Sequence, residues 1–176
     1  MNALASFPSA TNCPLLETVR PAGCRLRPAR DRDMVFLRRL YRHLRAAEVA
    51  TVDWPAAQKN AFCDMQFDAQ HTDWTARFAK AWFLVVTHRS APIGRFYVDP
   101  GGDEVRVIDI ALLPEWRGKG IGAALLNALA DWAAPRPVVL QVQFGSRAQQ
   151  LYARLGFVEY ARQDGRVQMA LRRADS

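Results

Sequence analysis

Apolar residues recur along this chain with two periods, and the switches between them mark out the elements. After an alternating stretch, CRLRPAR (24–30), that predicts a first strand, Met34, Leu37, Leu40, Tyr41 and Leu44 follow at helical spacing, with Asp31 placed to cap the helix. Pro55 suits the first turn of a second helix carrying Phe62, Met65 and Phe67, and a third short helical stretch follows over 74–80. The runs WFLVVTH (82–88), IGRFYVD (93–99) and EVRVIDIALL (104–113), separated by RSAP and PGGD, predict a three-stranded antiparallel meander. Ala123–Ala133 reads as a helix stopped by Pro135, PVVLQVQF (137–144) as a strand, and RAQQLYARL (147–155) as a helix with Gly156 as its C-cap. FVEYARQ and RVQMALR close the chain as a hairpin around Asp164 and Gly165. The order β-α-α-β-β-β-α-β-α-β-β describes a mixed sheet with helices packed on it, an α/β or α+β fold.

Composition narrows the function classes. A chain of 176 residues supports one ordinary domain, placed here over 23–176, after a small, polar, proline-punctuated stretch (1–22) read as a flexible tail. The formal charge of +7 permits an anionic ligand and equally fits an arginine-rich surface. Arg38, Arg39, Arg42 and Arg45 give the first helix a basic face, for which a solvated surface outweighs nucleic-acid contact. Three cysteines, Cys13, Cys24 and Cys63, and three dispersed histidines show no disulfide or zinc spacing, so no metal is expected. The N-terminus lacks the pattern of a secretory signal and no apolar run has membrane-spanning length, which makes the cytoplasm the expected compartment.

The chemistry concentrates in PEWRGKGIGAALL (114–126). Glycine weakens a helix, so Gly118, Gly120 and Gly122 beside Arg117 and Lys119, at a helix start, ask for a ligand lying against bare backbone. Free N–H groups and the helix dipole at that end attract phosphate. A Walker loop is excluded, because no Gly-Lys-Ser/Thr occurs in the chain. A dinucleotide fingerprint fits Gly118, Gly120 and Ala123 poorly, since Pro114, Glu115 and Trp116 interrupt the strand-to-helix turn and the next strand ends in Gln141 and Gln143 rather than an acid.

The loop resembles the pyrophosphate loop of the GNAT superfamily of N-acetyltransferases, Gln/Arg-x-x-Gly-x-Gly/Ala, at Arg117, Gly120 and Gly122. RAQQLYARLGF (147–157) is similar to the family's later helix, and the resemblance spans roughly Trp82 to Phe157. A tight turn alone would explain the first block and a glycine-capped helix the second. Together, in this order after a long strand, they point to the family. The resemblance implies a mostly antiparallel central sheet flanked by helices, acetyl-CoA as co-substrate and a primary amine of a small molecule or peptide as acceptor. It places the pantetheine arm along Ile110 and Leu112, with the Leu112 amide donating to the thioester oxygen. The diphosphate falls on the amides from Gly118 through Lys119, Gly120 and Ile121 to Gly122. Tyr152 matches the tyrosine that protonates the leaving thiolate. Asp109 stands where members often carry an acid, and serves as base or substrate anchor, or else pairs with Arg95 or Arg106 to fix the sheet; Glu104 is a weaker candidate. Many relatives carry asparagine where this chain has Gly145, so one coenzyme contact is either absent or supplied instead by the hydroxyl of Ser146 beside it.

For the acceptor wall, Glu48, Gln66, Gln70 and His71 are candidates, against the plainer reading of an amphipathic helix with a solvated polar edge. A homodimer is left open, and no membrane partner is expected. The rival functions are a non-catalytic acyl-CoA-binding module and a basic nucleic-acid-binding domain, the second distinguished by steep salt dependence.

Overall fold

The meander read from the sequence is the middle of a seven-stranded sheet in the computed structural model, which describes residues 5–8, 13–18 and 21–174. Its strands are β1 (Cys24–Pro28), β2 (Trp82–His88), β3 (Ala91–Asp99), β4 (Val105–Leu112), β5 (Val138–Gln143), β6 (Val158–Gln163) and β7 (Arg166–Leu171). They lie in the order β1-β2-β3-β4-β5-β7-β6, antiparallel throughout except for β4 beside β5. The helices are α1 (Leu15–Thr18), α2 (Met34–Ala50), α3 (Ala56–Arg77), α4 (Ile121–Ala133) and α5 (Arg147–Arg154).

Side chains of β2 alternate between two apolar clusters: Trp82, Leu84 and Val86 in one, Phe83 and Val85 in the other. A strand buried on both faces requires cover on both. Leu37 and Leu40 of α2 and Phe67 of α3 cover Phe83 and Tyr97, while Ile121, Leu125 and Leu129 of α4 cover Phe96, Val105 and Val138. Each such side chain contributes about 1.5–3 kcal/mol by leaving water.

Three local features differ from the sequence expectations. Residues 56–77 form one helix, because no glycine or proline interrupts them before Phe78. Asp31 does not cap α2; a single 3-10 turn, Asp31–Asp33, intervenes, and Asp31 accepts hydrogen bonds from Ser6 Oγ and the Phe7 amide. Within the stretch read as a tail, Cys13 and Leu15 are buried and the Phe7 ring lies 4.6 Å from His71 and 5.6 Å from Phe83. The rest of that stretch, residues 1–4, 9–12 and 19–20, lies outside the described residues.

The basic face of α2 is largely neutralised. Arg38 clamps Asp68 of α3 at 2.8 and 2.9 Å, Arg42 clamps Asp64, and Arg45 pairs with Glu48 at 2.7 Å. Two acids spaced four apart on α3 meet two arginines spaced four apart on α2, so this surface joins helices rather than presenting a row of cations.

Candidate functional site

The parallel pair β4–β5 opens partway along. Its ladder is confined to Val105–Val107 against Val138–Leu140. At that point the β3–β4 register shifts, Val98 facing Val107 and Tyr97 facing Asp109, so Ile108 is an extra residue and β4 bends. Beyond the bend β5 stays with β7, and among the described residues no strand pairs with Ile108–Leu112 on that side. Strand amides alternate in direction, and the Leu113 N–H donates to Ile93 O at 2.9 Å, so the Ile110 and Leu112 amides face the gap. Gly94, opposite Leu112, supports this edge from behind. A Cβ there would fall 2.4 Å from the Ala111 carbonyl oxygen, so no side chain fits.

The glycine loop closes one end of the gap. After the turn Pro114–Trp116, Gly118 and Gly120 have φ of 71° and 75°, left-handed values that glycine adopts without penalty, and Gly120 is the N-cap of α4. A Cβ added at either would meet no atom within 4 Å, so bare backbone and the unpaired amides of the first turn border open space. That space is a cleft of about 790 Å³. Ile110, Leu112, Arg117, Gly118, Gly120, Ile121, Gly122 and Tyr152 all line it, so the fold brings these candidates together.

Three of the coenzyme and catalytic candidates, Lys119, Ser146 and Asp109, are not among the lining residues. Lys119 lies outside the lining, with its Nζ 4.8 Å above the Trp116 ring. Ser146 also lies outside; it caps α5, its Oγ accepting the Gln149 N–H at 3.2 Å while Gln149 Oε1 accepts the Gly145 N–H at 2.7 Å. The Ser-x-x-Gln spacing was a capping signal in the sequence. Arg117 lines the cleft and ties the loop to the strand, its Nε donating to Leu112 O at 2.9 Å. Lining residues not singled out from sequence include Leu44, Trp116, Arg147, Leu151 and Arg154. The last three recur at helical spacing on α5, which was the available signal.

Tyr152 lines the cleft, and Asp109 of β4 is near enough for its charge to act on the tyrosine. Asp109 pairs with Arg95, Nε to Oδ2 at 2.6 Å, and its side chain keeps 26% of its area exposed, whereas that of Arg95 keeps 2%. Of the two arginines named as partners, Arg95 is the one; Arg106 pairs with Glu104 instead. Burial pushes the Tyr152 hydroxyl up to about 12, and the Asp109 charge adds to the shift, so the phenol carries its proton throughout the neutral range.

The four acceptor candidates separate. Gln70 reaches the pair, its Oε1 3.4 Å from Arg95 Nη2. Gln66 lies 3.5 Å from the Tyr41 hydroxyl. His71 is buried, its Nε2 2.6 Å from Ala5 O, and burial pushes its imidazole below the usual range, so it belongs to the packed face of α3. Glu48 is held by Arg45 on the outer side of α2 and does not line the cleft. Among the described residues no three His, Cys, Asp or Glu could hold a metal ion, and no helix is long and apolar enough to cross a membrane.

Residues 79–159 match the model of the acetyltransferase (GNAT) domain, a span containing β2 through α5 and every lining residue of the cleft except Leu44. No curated protein matches the chain. The fold is similar to the PaiA N-acetyltransferase of Thermoplasma acidophilum, solved in complex with coenzyme A, with a TM-score of 0.66 at 16% identity over 85% of this chain and 99% of that one. It is similar to the histone acetyltransferase HPA2 and related acetyltransferase from Corynebacterium glutamicum, with 0.62 at 20% identity over 88% and 98%. The ribosomal-protein-S18-alanine N-acetyltransferase of Escherichia coli matches with 0.58 at 18% identity over 87% and 96%. At such identities the likeness establishes the architecture.

Proposed function

We propose that this chain, whose residues 79–159 match the acetyltransferase (GNAT) domain, takes acetyl-CoA as its co-substrate and acetylates a primary amine of a small molecule or peptide by direct attack. The observation that carries this reading is the opened β4–β5 gap, with backbone amides and a glycine-capped helix start along it, Tyr152 in its lining and the Asp109 charge within reach of that tyrosine.

The residues fit acetyl-CoA. The amides of Ile110 and Leu112 suit the arm, the α4 amides suit the diphosphate, and Arg117, Arg147 and Arg154 supply positive charge along the lining. The co-substrate contributes the thioester carbon. Leu112 N–H donates to the carbonyl oxygen as it gains charge. Asp109, with Oδ2 on Arg95, accepts the amine's proton directly or through water. As the new C–N bond forms and the C–S bond breaks, Tyr152 gives its proton to the departing sulfur and recovers one from solvent. Holding the reactants side by side supplies much of the acceleration. On the acceptor side, Gln70, through its contact with Arg95, is the candidate best placed to influence selection.

Acetyl-CoA should stabilise the fold. At a hundred times its Kd, a ligand adds roughly 2.7 kcal/mol, a clear rise in melting temperature. No shift at millimolar acetyl-CoA would overturn the reading. The rival, a non-catalytic acyl-CoA-binding module, predicts the same shift with no transfer.

A further inference from the structure

The buried guanidinium behind Asp109 is an expensive feature that acetyl transfer as described does not use. Arg95 is 1% exposed. The rings of Phe67, Trp74 and Tyr97 surround it at 5.4–5.6 Å, Gln70 Oε1 lies 3.4 Å from Nη2, and Asp109 is its one ion-pair partner among the described residues. Its Nη1 has no hydrogen-bond partner among them. A buried ion pair is rarely a gain in stability over apolar residues of similar volume, so another role must be sought.

The geometry suggests one. Arg95 stands on β3 opposite Ala111, while Asp109 stands opposite Tyr97, so the guanidinium reaches diagonally along β4 to the carboxylate just past the bend. Asp109 is the partly exposed member, and its charge is felt by Tyr152. The other groups around the guanidinium come from α3 and β3, with Tyr41 of α2 near enough to act on its charge, and none of these comes from the glycine loop.

We propose that Arg95 is a positioning residue for acetyl transfer: caged by Phe67, Trp74 and Tyr97 and steadied by Gln70, it fixes the Asp109 carboxylate at the acceptor side of the gap. This rests on the role given to Asp109 above. Acetyl-CoA binding, which uses the other side, does not depend on it. Orientation at a reacting centre is demanding: a displacement of about 1 Å can cost on the order of 10²-fold in rate.

The test uses Arg95→Met, Arg95→Lys and Asp109→Asn in the full chain. Methionine fills the aromatic cage with similar length, and the partly exposed Asp109 keeps access to water, so folding is expected to survive. Lysine keeps the charge but cannot reach Asp109 and Gln70 with one planar fork. Probe acceptors are spermidine, lysine methyl ester and a tripeptide with a free N-terminus. For Arg95→Met, kcat should fall on the order of 10- to 10²-fold with acetyl-CoA KM unchanged, and Arg95→Lys should recover part of the loss. A crystal structure of Arg95→Met should show the Asp109 carboxylate displaced. A carboxylate still within about 0.5 Å of its place, or normal turnover in folded Arg95→Met, overturns the proposal. If Arg95→Met does not fold, Arg95→Lys decides alone: unchanged kcat overturns the proposal and a lowered kcat with unchanged acetyl-CoA KM supports it. Should Asp109→Asn turn over normally, the role of Asp109 itself is wrong. Loss in Asp109→Asn with none in Arg95→Met removes Arg95 only. If wild-type protein acetylates none of the three probes, the position of the carboxylate in the crystal decides.

Discussion

Replacing Tyr152 with phenylalanine should lower kcat on the order of 10²-fold or more, the loss typical of a missing general acid. The change removes one hydroxyl and almost no volume, so the contact of the ring with Phe157, 5.8 Å between centroids, survives. Acetyl-CoA affinity and melting temperature should therefore stay near wild type, and the loss should appear in turnover per folded molecule. The environment supports the assignment. Burial first, and the Asp109 charge second, push the hydroxyl up to about 12, so the proton is present at every pH at which an amine enzyme would be assayed. Thiolate departure without a donor is slow, and that is the step the variant exposes. Steady-state kinetics beside a thermal melt would check it; unchanged turnover would return Tyr152 to the hydrophobic cluster it also belongs to.

The second large effect is expected at Gly120. With φ at 75°, any side chain there strains the backbone by roughly 1–2 kcal/mol. The space beyond its Cβ is empty, so the side chain itself would point into the open cleft rather than into the core. Gly120→Leu should lose the charge-assisted hydrogen bonds of the α4 amides to the diphosphate. At about 1.5–3 kcal/mol for each, losing one weakens acetyl-CoA on the order of 10- to 10²-fold. Gly120→Ala carries the same backbone strain with less obstruction. The two variants should melt alike and bind differently. Calorimetric titration separates the effects, and normal acetyl-CoA affinity in both variants would leave these glycines as a turn and nothing more.

The sequence of elements, the meander and the loop were legible because their signals are local. The alternation in Trp82–His88, the turn residues of PGGD and the glycines before Ile121 each dictate backbone without help from distant residues. The bend in β4 was not legible: Ile108 is one unremarkable residue, and it becomes a bulge only because Val107 and Asp109 pair with adjacent residues of β3. The side chains of Ser146 and Lys119 lie outside the cleft lining for a related reason. Both were assigned through the likeness of a motif, and each had a nearer use, a helix cap and a contact with Trp116. The buried position of Arg95 was also beyond reach, since its cage draws Phe67 and Trp74 from a helix far away in sequence. The clamps between α2 and α3 could have been found. Asp64 and Asp68 match the spacing of Arg38 and Arg42, and that pairing already argued for a neutralised face.

The most direct measurement of the central claim follows the acetyl group itself. Acetyl-CoA labelled with carbon-13 in the acetyl group is incubated with the protein and a panel of amines, polyamines, amino acids and peptides, with free thiol and acetylated product quantified together. The account predicts acceptor-dependent thiol release matched mole for mole by labelled N-acetyl product, with both falling together on the order of 10²-fold or more in rate in the Tyr152→Phe protein. Binding of acetyl-CoA with no acceptor-dependent thiol release across the panel would contradict it and make the cleft a binding module.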